Sequence, residues 1–226
     1  MIIDINPNYT VVENKPYREG LPELIEKGFT GFTIADYIEN FVDAIKNNKT
    51  EKIRFFLDDK NRSYWDSVDS CPHYDGTFIV RPNSANLLSI KPKTELVNGA
   101  LPLTKEGYQE LGKRFGLISR NKPGLILNTE LTAEQFGSHG VWNKLLQGNQ
   151  VLQNEAAECL YKYYKEEKGL TKLFGVYLPS DQENPEERAW YLRNLVIRPF
   201  ADARDNLDYD ARFFGWRAQN LETKIE

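Results

Sequence analysis

Residues 201–218 read ADARDNLDYDARFFGWRA, which places four aspartates and three arginines beside a Phe-Phe-Gly-Trp cluster. Between Leu173 and Thr223 every basic residue is arginine, although lysine is the commoner base in the rest of the chain. A lysine is a compact, strongly hydrated charge, whereas the planar guanidinium group pairs with carboxylates through two hydrogen bonds and stacks on aromatic rings. The composition of this stretch therefore indicates a network of charged and aromatic side chains.

Three interpretations of this stretch compete. The aspartates could bind Ca²⁺ or Mg²⁺, but the glycine and the terminal glutamate of an EF-hand loop are missing, and the neighbouring arginines would repel a cation. The stretch could instead be an internal ionic lattice, because Arg204 with Asp208 and Asp208 with Arg212 are spaced four residues apart, as in pairs on a helix. It could also be a contact surface, since tryptophan, tyrosine and arginine are enriched at binding hot spots. The second and third interpretations are compatible.

From this stretch we expect a soluble, non-catalytic protein that acts through protein–protein contacts, as an assembly component, an adaptor or an accessory subunit. Its partner would be another protein or a second copy of the chain. The residues expected in the contact surface are Arg204, Asp208, Arg212, Phe213, Phe214, Trp216 and Arg217.

The overall composition is that of a folded protein. The 226 residues are 40% hydrophobic and 12% aromatic, with a net charge of −4. The N-terminus MIIDINPNYT lacks the basic and apolar regions of a secretion signal, and no apolar run is long enough to span a bilayer. Two cysteines do not indicate a disulfide framework in a chain of this length. These features predict a cytoplasmic protein with no membrane association.

A second hypothesis is nucleic-acid binding through residues 91–122. This segment carries seven basic and three acidic residues, whereas the rest of the chain is acidic. A helix over TKEGYQELGKRFGL would present cations that could meet phosphate groups. The cations expected to do so are Lys105, Lys113, Arg114, Arg120 and Lys122.

A third hypothesis is a hydrolase or metal-dependent nuclease that uses Asp75, Lys91 or His139. Asp75 before one strand and Lys91 on the next would be similar to the hairpin of restriction-endonuclease-like nucleases, although Ser89 stands where the second acidic residue is expected. His139 could act as a general base, but no nucleophile motif accompanies it.

Cysteine and histidine could together supply four zinc ligands, namely Cys71, His73, His139 and Cys159. Their spacing does not support a zinc site, because the last two are not a local pair and Cys159 lies on an apolar helical stripe. We expect no metal, no cofactor and no catalytic residue.

The periodicity of the sequence predicts an α+β fold. The predicted helices are 33–48, one capped by Thr104, one capped by Thr132, 150–168 ending at Gly169, and one from Asn184 towards Pro199. The predicted strands are 52–57, 124–128, 172–179 and a hairpin over 77–91. This order gives a mixed N-terminal part with a small sheet and hairpin, followed by a predominantly helical C-terminal part. The chain would form a single domain over 1–226, or two lobes at 1–130 and 131–226.

Overall fold

A twisted sheet between two groups of apolar side chains organises the chain. The structure is a computed structural model that describes residues 9–57, 64–193, 195 and 197–217. The strands are β1 (Tyr9–Pro16), β2 (Thr30–Gly31), β3 (Trp65–Tyr74), β4 (Thr77–Phe78), β5 (Leu101–Pro102), β6 (Ile118–Ser119), β7 (Gly175–Tyr177), β8 (Glu186–Arg193), β9 (Phe200–Asp202) and β10 (Asp210–Trp216). The helices are α1 (Tyr17–Glu26), α2 (Ile34–Lys46), α3 (Thr50–Phe56), α4 (Ala85–Leu88), α5 (Lys105–Phe115), α6 (Ala133–Ser138), α7 (Gly140–Leu145) and α8 (Gln150–Lys168).

The main strand order is β1–β10–β3–β8–β9–β7. The first described strand and the last are antiparallel neighbours, with Tyr9 opposite Trp216 and Glu13 opposite Arg212. β10 then runs parallel to β3, and β3 runs antiparallel to β8. The C-terminal strand therefore lies between two strands from the N-terminal third of the chain.

Both faces of the central strands are buried. On β10, Phe214 packs with Trp65 and α2 in one apolar cluster, while Phe213 packs with Tyr17 and α1 in the other. Successive side chains of a strand point to opposite faces, so a strand covered on both sides is apolar at consecutive positions. This explains why β10 carries the run ARFFG rather than alternating polar and apolar residues.

The α+β prediction is confirmed, but the prediction of a predominantly helical C-terminal part is wrong. Helices α6, α7 and α8 occupy residues 133–168, and the described chain beyond them contributes four strands to the sheet. Residues 186–193, predicted as a helix from Asn184-Pro185-Glu186-Glu187, form β8. Consequently Arg204, Asp208 and Arg212 are not spaced along a helix.

The helices that were predicted from a local capping residue begin or end where the sequence predicts. Thr33 forms a capping box with Asp36, Thr104 accepts a hydrogen bond from the Gly107 amide, and Thr132 forms a capping box with Gln135. α8 spans Gln150–Lys168 and ends at Gly169 with a left-handed conformation.

Several predicted strands are corrected. Residues 50–56 are helical, residues 124–128 are not a strand, and in the predicted hairpin residues 85–88 form α4, capped by Ser84. The prediction for 172–179 is confirmed in its middle, as β7. None of the helices in the described ranges is long and apolar enough to cross a bilayer.

Candidate binding site

The arginine-rich stretch runs from β9 through a loop at 203–209 into β10, so it crosses from the sheet to the surface and back. Arg212 is 2% exposed, Phe213 is fully buried, and Phe214 is 3% exposed. The Arg212 Nε lies 3.2 Å from the Glu13 carboxylate, and its guanidinium lies over the Trp65 ring. These three residues, predicted as contact residues, are core residues and offer no surface to a partner.

Asp202 and Arg204 form the forked pair that the composition predicts. Arg204 donates to the two Asp202 carboxylate oxygens at 2.8 and 2.6 Å, and its guanidinium lies over the Tyr177 ring. The hydrogen bond to Asp202 raises the pKa of Arg204. Asp202 is fully buried, so the pair anchors the start of the 203–209 loop to the sheet.

Arg188 of β8 fixes the middle of the same loop. Its Nε donates to Glu186 at 2.8 Å, while Nη1 donates to the Asn206 side chain at 2.6 Å and also to the carbonyl oxygens of Arg204 and Asp205. Arg188 is 5% exposed, so these bonds are shielded from water. Arg188 therefore fixes the loop that carries Asp205 and Asp208 to strand β8.

A polar cavity of about 480 Å³ opens beside this loop. Its lining residues are Tyr64, Arg193, Asp205, Asp208, Tyr209 and Asp210. They come from the start of β3, the end of β8, the 203–209 loop and the start of β10. These three strands are neighbours in the sheet, and the cavity lies where their ends meet. Three carboxylates face a single guanidinium, which leaves the lining acidic.

The charges of the cavity are partly open to solvent. Arg193 lies 3.7 Å from Asp205 and 3.9 Å from Asp202, and its side chain is 46% exposed, so it is loosely held. Tyr209 is 57% exposed. Burial raises the pKa of the neighbouring Asp66 to about 7, and the negative charge of Asp205 acts in the same direction. The positive charge of Arg193 acts in the opposite direction.

Trp216 and Arg217, two other predicted contact residues, lie at the opposite end of β10. Trp216 pairs with Tyr9 and with Thr30, and the Arg217 guanidinium lies over the Phe29 ring. At about 3.3 Å per residue, they are about 20 Å from the acidic cavity. The predicted contact residues thus divide between two ends of a strand and the core.

The predicted nucleic-acid contacts are mostly engaged within the chain. Lys105 lies over Tyr74, Lys113 pairs with Glu110, Arg114 lies over Phe115, and Arg120 contacts Pro179 and Asp181. Lys122 is exposed and lines a separate cavity. Nucleic-acid binding through these residues stays a prediction.

The three residues of the hydrolase hypothesis come from separate segments. Asp75 lies in the turn between β3 and β4, Lys91 lies in the loop after α4, and His139 lies between α6 and α7. Neither Asp75 nor Lys91 lines the cavity that His139 lines. Because residues 85–88 are helical, the nuclease-like hairpin is not formed.

The four residues considered for zinc are also dispersed. Cys71 and His73 are buried on β3, where the His73 Nε2 lies 3.1 Å from Glu186, while Cys159 lies on α8. Across the described part of the chain, no group of three or more His, Cys, Asp or Glu side chains could hold a metal ion. This holds for the acidic cavity as well.

The local sequence did not indicate all residues of the cavity. Tyr64 and Arg193 are distant from the 203–209 loop in the sequence and meet it through strand pairing. Asp66 was likewise not singled out, although its Oδ2 accepts the Arg212 backbone amide at 2.8 Å. The sequence signal that did lead to the cavity is the cluster of aspartates at 205, 208 and 210.

Comparisons with known proteins identify the fold. No protein-family model matches the chain, and no curated protein matches it in sequence. The chain is similar to a solved structure concerning the accommodation of massive sequence variation in Nanoarchaeota by the C-type lectin fold. The similarity has a TM-score of 0.70 at 14% identity, and covers 95% of this chain and 100% of the other. The chain therefore has a C-type lectin-like fold, in which the N- and C-terminal strands share one sheet.

Proposed function

We propose that this protein is a non-catalytic binding protein that recognises a basic side chain of a partner protein in the acidic cavity. The observation that carries the proposal is the lining of the cavity, in which Asp205, Asp208 and Asp210 lie beside Tyr64 and Tyr209. Carboxylates bind guanidinium groups through paired hydrogen bonds, and tyrosine rings attract cations over their faces. An arginine or lysine side chain fits both.

The anchoring of the loop supports this proposal. Arg188 and the Asp202–Arg204 pair hold residues 203–209 before a partner arrives, so less conformational freedom is lost on binding. The internal lattice and the contact surface are thus two parts of one arrangement. The buried arginines shape the loop, and the aspartates that remain at the cavity offer the contacts.

The similar solved structure adds support at the level of the fold. It is described as a C-type lectin fold that accommodates massive sequence variation. A fold with that property suits a binding protein, because surface loops can vary in sequence when a buried core, such as the one around Trp65 and Phe214, supports them.

Titration with short peptides tests the proposal. A peptide with one central arginine and its citrulline counterpart should be followed by NMR through the ring signals of Tyr64 and Tyr209. We expect binding of the arginine peptide, weaker binding at high salt, and at least about tenfold weaker binding of the uncharged citrulline peptide. Equal binding of both peptides, or no change at either tyrosine, would contradict the proposal.

Matched variants locate the site. The double variant Asp205→Asn, Asp208→Asn should lose the arginine preference, whereas Glu110→Gln on α5 removes one exposed carboxylate elsewhere and should retain it. Light scattering on the same samples shows whether the basic side chain comes from a second copy. In that case the double variant would be monomeric and the parent protein would not.

A further inference from the structure

A second cavity lies between the loop after β6 and the corner where α6 meets α7. Its volume is about 340 Å³, within the usual range for small-molecule sites. Apolar walls are formed by Ile118, Leu125, Ile126 and Val141. This cavity shares no lining residue with the acidic cavity.

His139 lines this cavity, and its two ring nitrogens differ in their partners. Its Nε2 lies 2.9 Å from the Ile126 carbonyl oxygen, which can only accept, so Nε2 carries the proton. Burial lowers the pKa of His139, which favours the neutral ring. The Nδ1 atom is therefore a bare acceptor.

That acceptor has no partner within the part of the chain that the structure describes. Nδ1 is buried and makes no hydrogen bond, and His139 as a whole is 5% exposed. His139 is also the N-cap residue of α7, and its side chain makes no capping hydrogen bond. A buried polar atom without a partner is costly, and a ligand that donates a hydrogen bond would remove that cost.

The charge of the cavity is positive. Lys122 and Lys144 line it, and none of its described lining residues is acidic. Lys144 donates to the Phe115 carbonyl oxygen at 2.7 Å, which uses one of its three N–H groups. Both ammonium groups can therefore attract an anion.

We propose that this cavity binds a small aromatic carboxylate that also carries a hydroxyl or ring N–H group. The ring would pack against the apolar walls, the carboxylate would meet Lys122 and Lys144, and the donor would bond Nδ1 of His139. This site is independent of the proposed recognition of basic side chains.

Three probes of related shape separate these contributions by calorimetry at neutral pH. The probe 4-hydroxybenzoate carries all three features, benzoate lacks the hydroxyl group, and phenol lacks the carboxylate. We expect 4-hydroxybenzoate to bind about tenfold more tightly than either of the others, as one hydrogen bond or one ion pair would give. Equal affinities, or no binding of 4-hydroxybenzoate at millimolar concentration, would overturn the proposal.

Two substitutions assign the contacts. His139→Gln can still donate to Ile126 through its amide nitrogen, but its amide oxygen does not lie at the position of Nδ1, so it should bind 4-hydroxybenzoate and benzoate equally. Lys122→Gln should weaken both carboxylates by a similar factor and leave phenol unchanged. A retained hydroxyl preference in His139→Gln would refute the role of Nδ1.

A measurement on the unaltered protein covers the case in which His139→Gln does not fold. The ¹⁵N chemical shift of His139 Nδ1 reports whether this atom accepts a hydrogen bond. It should move on addition of 4-hydroxybenzoate and stay in place on addition of benzoate. If both probes changed the ¹⁵N chemical shift equally, or if neither probe changed it, the proposed hydrogen bond would be excluded.

Discussion

The Arg212 guanidinium lies 4.1 Å from the centre of the Trp65 ring, inside the core. The Glu13 carboxylate, 3.2 Å from Arg212 Nε and 7% exposed, compensates its charge. Glu13 and Arg212 are register neighbours on β1 and β10, so this pair links the edge strand β1 to the strand beside it.

Arg212→Met is expected to destabilise the protein by about 3–5 kcal/mol, because it leaves the Glu13 carboxylate buried without its cation. Urea unfolding measures the change. Arg217→Met, at the exposed end of the same strand, is the matched control and should cost less than about 1 kcal/mol. A similar small effect at both positions would show that the pair contributes little.

The contribution of Asp66 to stability should fall as the pH rises from about 4 to about 7. The pKa of Asp66 is raised by burial from 3.8 to about 7, so between these values the folded state binds more protons than the unfolded state. Urea unfolding at about pH 5 and about pH 8 tests the sign. Asp66→Asn can still accept the Arg212 amide and should flatten the pH dependence by at least about 1 kcal/mol. An unchanged slope in this variant would assign the effect to other groups, including Asp69, whose pKa is raised in the same way.

Glu187→Gln is expected to cost about 2–4 kcal/mol. The fully buried carboxylate accepts hydrogen bonds from Ser70, Ser84, Arg81 and Asn86. In the variant, the NH₂ group of the glutamine would face one of these donor groups, and neither of the two could accept a hydrogen bond from the other. Thermal unfolding measures the loss, and Glu110→Gln, which is exposed, should change stability by less than about 1 kcal/mol.

Gly99→Ala should displace the loop that carries the acidic cavity. A Cβ atom at Gly99 would lie 2.3 Å from the Asn206 side chain, which accepts a hydrogen bond from Arg188. Gly124→Ala is the control, because Gly124 also has a positive φ but no atom within 4 Å of an added Cβ. We expect both variants to lose about 1 kcal/mol from backbone strain, and Gly99→Ala to lose a further 1–3 kcal/mol or so.

The same pair of variants connects the loop to the proposed function. Gly99→Ala should weaken arginine-peptide binding, while Gly124→Ala should not. Unaltered peptide binding in Gly99→Ala would show that the position of residues 203–209 does not control the cavity.

The arginine-rich stretch shows how far the sequence led towards the candidate site. Its composition predicted forked pairing, and Arg204 with Asp202 makes such a pair. The prediction of ion pairs at i, i+4 on a helix was wrong, because β10 is a strand. The partner of Arg212 is Glu13, about two hundred residues earlier in the chain. Strand partners of this kind leave no local pattern.

Residues 184–187 show the same limit in the fold. Asn-Pro-Glu-Glu is a good helix start, yet Glu186 and Glu187 are buried in β8. Glu187 is held by side chains from residues 70–86, and Glu186 contacts His73. These distant partners outweigh the local preference for a helix.

Local sequence signals were sufficient to predict the helices at Thr33, Thr104 and Thr132 and the helix that ends at Gly169, because caps act within one turn of the chain. The sequence also determined the kind of chemistry in the arginine-rich stretch. The tertiary structure decided that β10 lies between β1 and β3, which buries Phe213 and Phe214 on opposite faces. It alone brought Tyr64 and Arg193 to the aspartates, since sheet pairing depends on long-range contacts that no short segment specifies.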